Sequence, residues 1–424
     1  MELLDETTGA TPVAPATQLP RQRPWAVFAS ASFRKLWVAA TLSLFGFFFS
    51  YIAEAWLVLQ LTGSSIALGS VLVVGAVPRA LLMVVGGAVT DRLSPRVTMI
   101  GSMSLRAIFV GAFSLLVIAG HVQLWEVYVI ALVMGAGDAF FMPARQSILP
   151  SVVKDTELEP GNAVLMITGQ AALIVGPVLG GLIVAAFGTG WAFAGDAAFF
   201  AVGLLFVLWM PSNRATSAGQ HAPSGGLFSQ IGAGLRYAWN DYAIRLTLIV
   251  IAVIDFAANG AIGVGLPVLA HGRFSAGATG LGVLFAAWGV GAAAGAIGAG
   301  VVPPPKRMGM LIVALCVWLG LGIATVGLVP SLLPAALLMG LTGIGTGVVN
   351  TYGMSWLQRR TDRGMQGRVM SLIMLASVGL TPIGYAASGF VAQVNPTSLF
   401  LIAGGMMLAC ALGAVANSRV RSLT

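Results

Sequence analysis

Glu54, Arg79, Arg106, Asp138 and Asp255 stand inside long apolar stretches of the chain. An ion at the middle of a hydrocarbon layer costs about 2.5–3.5 kcal/mol on insertion scales, so it keeps a partner or lines a watery cavity. Glu54 shares a helical face with Ser43, Gly46 and Ser50, spaced by threes and fours, which makes one small, polar stripe. A carboxyl group in such a place is suited to taking up and giving off a proton, because low dielectric penalises its charged form. Glu54 is therefore the leading candidate for a coupling carboxylate. A fixed ion pair with Arg79 is the alternative, although the two differ in depth by roughly 10 Å at helical rise. Asp255 has Asn259 one turn on and Thr247 two turns back. It is read as a second proton carrier, as a recognition group for a cation, or as a partner of Asn259. Arg106 and Asp138 lie at similar depths in consecutive stretches, and a structural ion pair is the favoured reading over a proton relay.

The elements that position these groups are membrane helices. The apolar stretches run over 36–60, 66–90, 97–119, 123–145, 161–186, 191–210, 243–269, 278–301, 308–329, 332–356, 367–391 and 397–417, each long enough to cross a bilayer core. Backbone in lipid must satisfy its own hydrogen bonds, and the alternating polarity of a barrel strand is missing, so the fold class is an all-α membrane protein. Basic residues collect in every second connection: Arg92 and Arg96, Lys154, Arg236 and Arg245, Lys306 and Arg307, Arg359 and Arg360. Of the 22 Lys and Arg residues, Arg273 alone is assigned to the opposite loops. That pattern puts both termini in the cytoplasm.

Composition excludes other classes. The chain is 58% hydrophobic and 8% charged, against about 25% charged residues in soluble domains. Its net charge of +8 is the inside bias of the loops and not a nucleic-acid surface. Cys316 and Cys410 fall within stretches nine and twelve and imply no disulfide framework. There is no G-x-x-x-x-G-K-[ST] loop, no metal-ligand cluster and no catalytic triad, so neither an ATPase nor an enzyme is expected. His121, His221 and His271 lie in loops, which leaves intramembrane proton traffic to carboxylates. No cofactor is expected beyond the proton gradient.

The longest internal polar break, PSNRATSAGQHAPSGG at 211–226, has six stretches on either side. The chain divides accordingly into a disordered tail (1–32), a six-helix half (33–210), a cytoplasmic linker (211–228), a second half (229–418) and a short tail (419–424). An amphipathic helix is expected over 227–239. Two related halves are the usual construction of secondary transporters.

The loop GAVTDRLSPR carries Gly87, Asp91, Arg92 and Arg96 in a G-x-x-x-D-R-x-x-x-R spacing. It resembles the signature loop of the major facilitator superfamily, with Ser94 where that family usually has Gly and Pro95 where it usually has a basic residue. GPVLGG, with Gly176, Pro177, Gly180 and Gly181, resembles the Gly-Pro motif of its proton-coupled exporters. FFMPARQSILPSVV, SWLQRRTDRGMQGRVMSL and WLVLQLTGSS are similar to the branch containing macrolide-efflux pumps and the enterobactin exporter. There Ala55 takes the place of a frequent Pro, after Glu54.

The resemblance implies two pseudo-symmetric six-helix bundles, with Glu54 and Asp255 facing one central cavity. It implies a cytoplasmic latch around Asp91, to which Arg145, Arg368 and, alternatively, Asp138 would belong, and a conformational hinge at the Gly-Pro motif. Cavity-facing polar stripes are expected at Thr342, Thr346 and Asn350, and at Ser377, Thr381 and Tyr385, unless these groups bond their own helices. Trp56 and Trp288 are read as packing residues that could alternatively stack on a substrate. The function implied is proton-coupled export of an amphiphilic small molecule by a monomer in the bacterial inner membrane. Uptake of a nutrient or siderophore and lipid translocation are the alternatives within transport, and a non-transporting sensor or scaffold is the alternative outside it.

Overall fold

A computed structural model describes residues 24–211, 235–237, 239–305, 307–362 and 365–417. Twelve of its helices are long and apolar enough to cross a membrane. They are α1 (Ala31–Thr62), α2 (Ser65–Leu93), α3 (Pro95–Ile118), α4 (Leu124–Ser147), α5 (Leu158–Phe187), α6 (Thr189–Leu208), α7 (Tyr242–Gly272), α8 (Gly277–Val301), α9 (Met308–Val326), α10 (Leu332–Arg360), α11 (Gln366–Val394) and α12 (Pro396–Ala416). Two of them contain π-helical segments, Ala261–Gly265 in α7 and Val349–Gly353 in α10. Within the tail expected over 1–32, Pro24–Ala29 forms a 3-10 turn and α1 begins at Ala31, while residues 1–23 lie outside the described residues. Most of the linker (from 212), most of the helix expected over 227–239 (through 234, and 238) and the tail from 418 lie outside the described residues.

Short connections set the helices antiparallel, and their ends are capped by the residues present there. Ser30 accepts from the Phe33 N–H, and Ser64 from the Ala67 N–H. Gly63, at φ +60°, ends α1 with its N–H on Leu59 O. Asn395 accepts from the Thr397 N–H, and Pro396 occupies the first position of α12.

Helices α1–α6 pack as one half and α7–α12 as the other. The halves meet where α2 lies along α11 and α5 along α8. Small residues make both seams: a side chain on Gly69 would press on Gly389 at 3.0 Å, and one on Gly282 would press on Val178 at 3.1 Å. A cluster of hydrogen bonds joins the halves on the face away from the basic loops. Gln393 Oε1 accepts from the Ser65 N–H at 2.9 Å and from Ser64 Oγ at 3.2 Å; Ser65 Oγ donates to Gly389 O at 2.9 Å, and Thr279 Oγ1 to Gly181 O at 3.4 Å. Trp56 stands edge-on to His271 at 5.1 Å, and Tyr51 to Phe285 at 5.4 Å. On the basic face, no hydrogen bond or ion pair joins the halves among the described residues. The hydrogen bonds of Ser64, Ser65, Gln393 and Thr279 between the halves thus gather on one face. The two cysteines are free thiols packed in one cluster between α9 and α12.

Candidate functional site

Between the halves lies a cavity of about 70 Å³, lined by Glu54, Arg79, Asp138, Met134 and, from the second half, Tyr385. That is room for about five waters. A drug-sized ligand needs roughly 300–1,000 Å³, so a substrate of that size requires the halves to separate further.

The ionisable residues around it form one network. Arg106 on α3 donates through Nη1 to Asp138 Oδ1 on α4 at 3.0 Å. Its Nε donates to Asp196 Oδ2 on α6 at 3.1 Å. Ser50 Oγ on α1 donates to the same Asp196 oxygen. The Arg106 guanidinium also lies 4.5 Å from the Phe200 ring centroid. All these groups are buried, Asp196 completely. Buried charges persist only when paired and hydrogen-bonded, and this set meets that condition with one exception. Arg106 Nη2 stands 3.0 Å from Asp196 Oδ2 but is not aligned with it, and it has no hydrogen-bond partner.

Glu54 differs. It is 8% exposed and lines the cavity, yet it belongs to none of the ion pairs among the described residues. Arg79 and Asp138 line the same cavity. The stripe Ser43–Gly46–Ser50–Glu54 turns toward α6. A side chain on Gly46 would collide with Asp196, so this glycine admits the carboxylate to the Ser50 hydroxyl. Ser43 bonds its own helix at Ala39 O.

The structure does not bring Asp255 into this cavity. Ser377 Oγ on α11 donates to Asp255 Oδ2, and Asn259 reaches Thr381 Oγ1 at 3.4 Å instead of Asp255. This second polar set ties α7 to α11 within one half. Thr342 and Thr346 bond their own backbones, and Asn350 sits exposed in the π-helical segment of α10. Trp56 packs on His271, and Trp288 packs against the core.

The signature loop shows where its family's glycine acts. Ser94 has φ +111°, a region glycine enters without strain, and it ends α2 while its Oγ accepts from the Val97 N–H to start α3. Arg96 donates to Val207 O at 3.2 Å and Leu208 O at 2.8 Å, fastening α3 to the end of α6. Asp91 and Arg92 are exposed and make no ion pair among the described residues. Gly87 faces open space, while a side chain on its neighbour Gly86 would meet Phe140 Cα at 3.1 Å. Asp138 is engaged with Arg106 rather than with Arg145, which is half-buried two turns further on. The Arg368 side chain lies outside the described residues.

Gly176, Pro177, Gly180 and Gly181 are all buried in an unbroken α5. Gly176 lies against Phe48 and Gly180 against Phe49 of α1, and Gly181 against Ala278 of α8. The motif packs α5 on α1 within its own half and, through Pro177 and Gly181, on α8 of the other half. Asp196 escaped sequence reasoning, although its signal was plain: a carboxylate in the apolar run WAFAGDAAFF.

Twelve helices in two halves around a charged cavity form a fold shared with solved membrane transporters. The nucleoside transporter NupG superposes with a TM-score of 0.71 at 14% identity, covering 91% of this chain and 98% of NupG. A POT family transporter in complex with 5-aminolevulinic acid gives 0.72 at 12%, covering 93% and 97%. At such identities the likeness is one of fold. The multidrug efflux pump Tap of Mycolicibacterium fortuitum is 27% identical over 385 residues, 88% of this chain and 92% of Tap. The enterobactin exporter EntS of Citrobacter koseri is 25% identical over 396 residues, 92% and 93% of the two chains. Residues 22–424 match the transmembrane secretion effector family, and the chain belongs to that family of the major facilitator superfamily.

Proposed function

We propose that this chain exports an amphiphilic small molecule from a bacterial cell in exchange for protons. The observation that carries the reading is Glu54, a buried carboxyl without an ion-pair partner among the described residues, lining a water-sized cavity between the halves. The names of its relatives, a multidrug efflux pump and an enterobactin exporter, support export over uptake. The basic loops face the cytoplasm of an inner membrane, with both termini on that side. The form described above then opens inward, and transport requires that the contacts of Gln393, Ser64 and Ser65 break while the basic face closes. A proton on Glu54 shifts that balance only as far as it binds the two forms differently. The protein works as a monomer, and the proton gradient is its energy source.

The test uses everted membrane vesicles with a pH-sensitive dye. Energised vesicles containing the wild-type protein lose part of their pH gradient when ethidium or a catecholate siderophore is added. Vesicles with Glu54→Gln do not. No response in wild type to either compound, with both shown to bind the purified protein, contradicts proton exchange.

A further inference from the structure

The Arg106 guanidinium is 3% exposed and is held at two of its three nitrogens. The third, Nη2, stands 3.0 Å from Asp196 Oδ2 but out of line with it, and so is buried without a hydrogen-bond partner. Two carboxylates already flank this cation, and a third, Glu54, lies unpaired beside the cavity that Asp138 also lines. Six elements contribute a titratable or charged group that bears on Glu54, while α5, α7 and α8, which also pack on α1, place none in the cavity lining. The six groups are Tyr51 on α1 itself, Arg79 on α2, Arg106 on α3, Asp138 on α4, Asp196 on α6 through Arg106, and Tyr385 on α11. Ser50, one turn before Glu54, fastens Asp196 to the same helix.

Resting on the proton-exchange reading above, we infer that Asp196 is a positioning residue for coupling. It holds Arg106 so that the free Nη2 N–H becomes the partner of deprotonated Glu54 and is released when Glu54 is protonated. The proton moves between water in the cavity and the Glu54 carboxylate, and no other bond is made or broken. Deprotonation then locks α1 to α3, α4 and α6 through one cation, and protonation frees α1 to move with the opposite half. Asp255, tied to Ser377 in the other half, takes no part.

The experiment is infrared difference spectroscopy of the full-length protein in liposomes, titrated with pH. The protonated-carboxyl band of Glu54 is assigned as the one missing from Glu54→Gln. Asp196→Asn keeps one acceptor oxygen for Ser50 and Arg106, while Asp196→Ala removes it. Both are expected to move the midpoint of the Glu54 band by at least about one pH unit, a tenfold change in proton affinity. Asp196→Glu restores it toward the wild-type value, and Ser43→Ala leaves it in place. An unchanged midpoint in folded Asp196→Asn overturns the inference, even if Asp196→Ala fails to fold. Absence of any Glu54 band in the wild-type protein instead removes the coupling reading on which it rests.

Discussion

Gln393 of α11 accepts the Ser65 backbone N–H at 2.9 Å, so a side chain from one half caps the first turn of a helix in the other. The Ser64 and Ser65 hydroxyls lie at 3.2 and 3.0 Å from the same oxygen. This contact exists only while the face away from the basic loops is shut. Replacing it by Gln393→Ala removes about 1–2 kcal/mol from the closed form, a shift of about 5–30-fold toward the opposite opening. A cysteine at Leu72, which lines the cavity, in a background with Cys316 and Cys410 replaced by Ala, reports this. Its labelling by an impermeant maleimide from the non-basic face is expected to accelerate by that factor.

Arg106 carries the burden of two buried carboxylates. Arg106→Met leaves both uncompensated and is expected to cost about 3–5 kcal/mol, whereas replacing all three charges by apolar residues of similar size recovers most of it. Thermal unfolding in detergent measures both. The triple variant is expected to be folded and inactive, which separates the stability of this cluster from its use.

Ser94 trades backbone strain for a helix cap. Ser94→Gly removes the positive-φ penalty of about 1–3 kcal/mol and loses only a few tenths from the cap. The melting temperature is expected to rise. Ser94→Ala keeps the strain, loses the cap, and is expected to lower it.

The two adjacent glycines of α2 are expected to respond oppositely. Gly86→Leu forces α2 from α4, where Ala139 and Phe140 leave no room, and lowers the yield of folded protein. Gly87→Ala faces open space and is tolerated, with a gain in helix propensity of up to about 1 kcal/mol. Expression and detergent stability compare the pair.

Much of this architecture is written in the chain. The apolar stretches and the basic loops mark out the helices, because lipid permits so few backbone solutions. The pairing of Arg106 with Asp138 could be read from depth alone. Partners from distant helices were less legible. Nothing local in WAFAGDAAFF tells that Asp196 meets Arg106, since that depends on how α3, α6 and α1 pack. Asp255 looked equivalent to Glu54 by symmetry of position, but Ser377 on α11 occupies it, and only tertiary contact decides such a choice. The signature glycine showed the same limit, for Gly86 and Gly87 differ by 100° around a helix and only the position of α4 says which is squeezed.

The central claim is that Glu54 exchanges the proton that drives export. It is tested most directly by comparing, in proteoliposomes, ethidium accumulation driven by an imposed pH gradient with ethidium counterflow at equal pH. Glu54→Gln is expected to lose accumulation while counterflow continues. Full gradient-driven accumulation by Glu54→Gln would contradict the account.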